Sequence, residues 1–78
     1  MHKYLVQEVK DYFGNIVLTN VLEVLQLIES DYGTIIIVKY YTEESWKIDL
    51  NFLSDLQEWG YKFSDDEKYK EHLTWEKD

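Results

Sequence analysis

The run from Thr34 to Thr42, Thr-Ile-Ile-Ile-Val-Lys-Tyr-Tyr-Thr, constrains the fold more than any other stretch. Its β-branched aliphatics, Ile35 to Val38, have stiff χ1 torsions that suit a pleated surface and disfavour a helix, and Gly33 punctuates the start. Apolar and polar residues do not alternate here, so the run predicts a central strand with apolar contact on both faces. Ile36, Val38 and Tyr40 fall on one face, Ile35, Ile37 and Tyr41 on the other. Helices would cover one face. The second needs cover from a further element, a second copy of the chain or a partner.

The remaining pattern predicts a small α+β domain built around that strand. Lys3–Val9 reads as a strand, Tyr12-Phe13-Gly14-Asn15 as a turn, and Ile16–Thr19 as the returning strand or an extended lead-in to a helix. Asn20 with Glu23 forms a capping box, and Val21, Leu22, Val24, Leu25 and Ile28 keep helical spacing, predicting a first helix over 21–30. After Glu43-Glu44-Ser45, the alternation of Trp46, Ile48 and Leu50 predicts a half-buried strand. Asn51 can cap a second helix over 52–59, with Phe52, Leu56 and Trp59 on one face and Gly60 just past its end. Residues 61–63 form an edge strand or connector, and Ser64 with Glu67 opens a third helix over 65–74 with a thin apolar face of Tyr69 and Leu73. The expected order is β-β-α-β-β-α-(β)-α, an antiparallel sheet of about four strands with two to three helices, in a single domain spanning residues 1–78.

A chain of 78 residues forms one domain with a marginal core, so oligomerisation is a natural recourse. Cysteine is absent, which suits a reducing cytoplasm, and the sequence contains neither a signal peptide nor an apolar run near the 20 or so residues that cross a bilayer. Sixteen acids face eight lysines and no arginine, a formal net charge of -8. Nucleic-acid affinity needs a basic footprint, so direct binding to DNA or RNA is not expected. The same field repels anionic membranes and attracts basic protein surfaces.

Few residues announce chemistry. Asp65-Asp66-Glu67 sits where a helix N-terminus favours carboxylates, and the alternating ligands and central glycine of a calcium loop are missing. His2, at a terminus prone to fraying, and His72 lack a second ligand at metal spacing. The serines have no elbow or paired base, and Gly14, Gly33 and Gly60 are isolated rather than part of a phosphate loop. The expectation is a non-enzymatic protein without metal or cofactor. Tyr4, Tyr12, Tyr32 and Tyr61 read as half-buried packing residues, whereas Trp75 is either a clamp folded onto the sheet or an exposed anchor.

From Glu43 onward there are eleven acids and five lysines, against a net of -2 over residues 1–42. Glu43, Glu44, Asp49, Asp55, Glu58, Asp65, Asp66, Glu67, Glu71 and Trp75 are therefore the expected partner-binding residues, carboxylates taking phosphate positions and the aromatic supplying base-like contact. In size, acidity and lack of cysteine the chain is similar to small phage-encoded anti-defence proteins such as DNA mimics and anti-CRISPR proteins, a resemblance of class that carries over no residue. It implies an inhibitor of a basic nucleic-acid-binding surface, such as that of a nuclease, in a bacterial or phage-infected cytoplasm. The alternative is a small self-associating cytoplasmic accessory protein that homodimerises through its open sheet face.

Overall fold

Gly33 opens the strand that its apolar sequence predicts, and that strand lies inside a five-stranded antiparallel sheet. The structure, a computed structural model, describes residues 2–42 and 45–72. The strands are β1 (Tyr4–Lys10), β2 (Ile16–Ser30), β3 (Gly33–Thr42), β4 (Ser45–Phe52) and β5 (Lys62–Ser64), in spatial order β4-β3-β2-β1-β5. Helix α1 (Leu53–Glu58) and a 3₁₀ turn (Glu67–His72) are the helical elements among the described residues. The domain is therefore mainly β, with one strand more and fewer helices than expected.

The predicted first helix is the main correction: residues 21–30 form the second half of β2. Leu22 and Val24 lie on one face with Val38, and Leu27 rejoins that face opposite Ile36 because Leu25 is an extra residue between Val24↔Val38 and Gln26↔Ile37. The bulge slips the two-residue alternation by one, so a strand acquires spacings that read as a helix stripe. Pairing with β1 on one side and β3 on the other fills the backbone hydrogen bonds that a ten-residue helix, marginal alone, would have had to make internally. Asn20 is consequently mid-strand rather than a cap, and it donates from Nδ2 to Gln7 Oε1 at 2.8 Å.

The hairpin turns follow the residues that the sequence marks. Asp11 Oδ1 accepts from the backbone N–H of Phe13 and of Asn15, both at 2.9 Å, and Gly14 takes φ +89°. Asp31 and Tyr32 connect β2 to β3, the pair Ser30↔Gly33 closing the ladder with Gly33 at φ +128°. Tyr12 and Tyr32 stand almost fully exposed at these tips rather than half-buried.

The core lies between the sheet and α1. Leu5, Leu22, Val24, Ile36 and Val38 meet Leu56 of α1, with Tyr40, Leu53, Tyr61 and Phe63 around them. Helix α1 matches the predicted second helix, except that its N-cap is Phe52 without a side-chain cap bond, while Asn51 pairs with Ile36 in β4. Its end is a Schellman motif: Gly60 N–H donates to Gln57 O at 3.0 Å and Tyr61 N–H to Leu56 O at 3.0 Å, with Gly60 at φ +96°. Of the predicted helix face only Leu56 is buried; Phe52 and Trp59 are exposed.

Among the described residues the opposite face is covered at its β1 side, where Tyr4, Val6 and Val21 pack under Tyr69 of the 3₁₀ turn. That turn replaces the predicted third helix over its described part. Ser64 Oγ accepts from Asp66 N–H at 3.2 Å as a cap would, but Glu67 reaches Lys3 Nζ instead of turning back to complete a capping box.

Candidate protein-interaction surface

Beyond Tyr69 the second sheet face is open among the described residues. Ile28 of β2 pairs with Ile35, and Ile37 pairs with Leu50, while Trp46, Ile48 and Phe52 continue the same face along β4. The sequence predicted Trp46, Ile48 and Leu50 to be half-buried. Ile48 and Leu50 are instead 63% and 64% exposed, because β4 is an edge strand with nothing beside it or above it among the described residues. Tyr41 packs edge-on to Trp46 with ring centroids 5.1 Å apart, and Lys39 Nζ stands 4.8 Å over the Trp46 ring. Lys39 borders this patch, with Glu23 directly opposite it on β2.

The expected acidic surface does not gather in one place among the described residues. Asp65 accepts from Lys3 N–H at 2.8 Å and from His2 Nδ1 at 2.9 Å, and Glu67 pairs with Lys3 Nζ. Asp66 accepts from Lys68 N–H at 3.0 Å. Asp65 and Glu67 thus tie the start of β1 to the segment after β5, while the Asp66 contact is local. The His2 hydrogen bond, followed by the Lys3 N–H, holds the Asp65 carboxyl below its usual range, and Glu67 raises Lys3. His2 also stacks on Phe63 with ring centroids 4.9 Å apart. Asp55 and Glu58 are exposed on α1, on the other side of the sheet from Tyr69. Glu43, Glu44 and Trp75 lie outside the described residues.

Asp49 and Glu71 share the rim of a cleft of about 680 Å³. The cleft forms because β2 pairs with β3 only from Glu23 onward, so Leu18–Leu22 of β2 and Tyr40–Thr42 of β3 diverge like the arms of a fork. Several polar groups at or beside it are hydrogen-bonded. Gln7 Nε2 donates to Trp59 O at 2.6 Å, Asn20 donates to Gln7, and Tyr40 Oη donates to Asp49 Oδ2 at 2.5 Å. Burial raises the Tyr61 phenol, while the carboxylate of Asp49 is the main cause that raises Tyr40. Among the described residues no group of three His, Cys, Asp or Glu could hold a metal ion.

The sequence signalled the open face without locating it: an apolar run with no alternation demanded cover on both sides. What it could not show is that β4 would be an edge. Among the described residues no helix is long and apolar enough to cross a membrane. Compared with known proteins, the chain matches no family model, no curated protein and no solved structure.

Proposed function

We propose that the chain is a non-enzymatic protein-binding module that engages its partner through β4 and the adjoining face of β3. One observation carries this reading: Ile48 and Leu50, large aliphatics on a regular strand, are 63% and 64% exposed beside Ile35 and Ile37. Isolated exposed aliphatics need no explanation, but a contiguous apolar patch on a sheet edge marks an interaction surface. The test is capture from a bacterial lysate with the wild-type chain, with Ile48→Glu/Leu50→Glu, and with Asp55→Asn/Glu58→Gln. The apolar variant should lose what the wild type retains, and the neutralised variant should keep it across a salt gradient. Retention by the apolar variant overturns the reading.

The acidic-inhibitor reading is favoured by Asp55 and Glu58, which make no ion pair among the described residues, together with the net charge of -8. On that reading the partner is a basic nucleic-acid-binding protein such as a nuclease. Capture would then fall steeply between about 0.05 and 0.5 M salt as the Debye length contracts. Neutralising Asp55 and Glu58 would weaken it, and the apolar variant would not.

A further inference from the structure

We propose that the partner of β4 is a second copy of this chain, the two β4 strands pairing antiparallel about a twofold axis at Ile48. This rests on the reading of β4 as the contact strand and adds the identity and register of what pairs with it. The two edges of the sheet differ in how they are guarded. β5 is three residues long, as protected edges often are, whereas β4 runs eight residues with no register shift, no proline, and Ser45 to Leu50 all exposed.

The hydrogen-bonding phase of β4 follows from its hairpin. A connection of two residues can be closed only by a pair that exchanges both backbone hydrogen bonds, and Thr42↔Ser45 is that pair. Alternation then turns the backbone of Lys47, Asp49 and Asn51 toward β3. The N–H and C=O groups of Trp46, Ile48, Leu50 and Phe52 therefore face outward.

About Ile48 the sequence is self-complementary: Trp46, Lys47, Ile48, Asp49 and Leu50 place an apolar residue at the centre, opposite charges on either side and apolar residues beyond. Two copies related at Ile48 set Ile48 against Ile48, Trp46 against Leu50, and Lys47 against Asp49 of the second copy, twice. The apolar pairs exchange about six backbone hydrogen bonds, and the charged pairs occupy the non-hydrogen-bonded positions, where side chains approach most closely. Moving the axis to Asp49 puts two carboxylates face to face. Moving it to Leu50 carries Lys47 past the end of the partner strand. The chosen register also supplies the lateral neighbours that Ile48 and Leu50 lack. The net charge of -8 opposes association, but the charges on β4 cancel and acids more than about 8 Å away are screened at physiological salt.

Sedimentation from low to high micromolar concentration tests the arrangement. The wild-type chain should dimerise, and Lys47→Glu and Asp49→Lys should each weaken the dimer about tenfold or more by opposing like charges. The exchange Lys47→Asp/Asp49→Lys should restore it to within a few-fold, with circular dichroism confirming the fold of each variant. A monomeric wild type, single variants that dimerise as tightly as it does, or an exchange that fails to restore would each overturn the proposal. A monomeric chain whose lysate capture is still lost with Ile48→Glu/Leu50→Glu refutes the second copy and leaves the protein-binding reading intact.

Discussion

Tyr40 donates its phenolic hydrogen to Asp49 Oδ2 at 2.5 Å, a diagonal contact between β3 and β4 on the face that α1 covers. The carboxylate raises the phenol above its ordinary value, with burial adding to the effect. A folded-state value above the unfolded one gives stability that is complete below about pH 10 and is lost as pH rises through the raised value. Tyr40→Phe keeps the ring and removes the donor. It should cost about 0.5–1.5 kcal/mol in urea unfolding at pH 7 and flatten the alkaline loss of stability. An alkaline limb identical to wild type would mean that Tyr61 and Tyr4, both raised chiefly by burial, account for it.

Leu56 is the buried residue of α1 and joins it to Leu22, Val24, Ile36 and Val38. A six-residue helix has no stability of its own, so its place depends on that side chain. Leu56→Ala should cost about 2–4 kcal/mol. Leu53→Ala, at the partly buried rim, should cost less. Equal losses in chemical denaturation would show that α1 is held along its length instead of at one anchor.

Asp11 and Asp65 each link the fold to acid pH. Backbone N–H groups of the β1–β2 turn, Asn15 first, hold Asp11 below its ordinary value, as His2 and Lys3 hold Asp65. A depressed folded-state value gives stability that is present above about pH 4 and lost as pH falls through the lower folded value. Asp65→Asn and Asp11→Asn retain an acceptor oxygen but do not titrate. Each should make the urea midpoint less dependent on pH below 4, and their combination should do so additively because the sites lie at opposite ends of β1.

How much of this was legible depended on whether a segment's local signal agreed with its partners. β3, the turn at Gly14, the end of α1 at Gly60 and the β1 strand carry signals that need no distant contact, and each lies where expected. β2 fails that condition: one inserted residue at Leu25 imitates a helix, and only the flanking strands decide against it. The acidic residues were visible as a count, but the pairing of Asp65 and Glu67 with His2 and Lys3 joins positions more than sixty residues apart, which no local pattern encodes. The apolar demand of Ile35 and Ile37 was readable. The edge position of β4, which turns that demand into an exposed surface, was not.

The bulge at Leu25 makes the strand assignment testable by deletion. Val24 faces Val38 and Gln26 faces Ile37, so removing Leu25 joins two segments already in phase and leaves every other side chain on its present face. Leu25 is 39% exposed, so its deletion gives up the partial burial of one side chain and shifts no other. The deletion should cost about 1–2 kcal/mol and keep the β-sheet circular dichroism spectrum. Deleting Leu22 instead shifts the N-terminal half of β2 by one residue, turning Val21 toward α1 and Asn20 toward Tyr69, and should unfold the domain. A helix over 21–30 would behave otherwise, because either deletion rotates half of its apolar stripe by about 100°. Comparable damage from the two deletions would therefore refute the bulged strand.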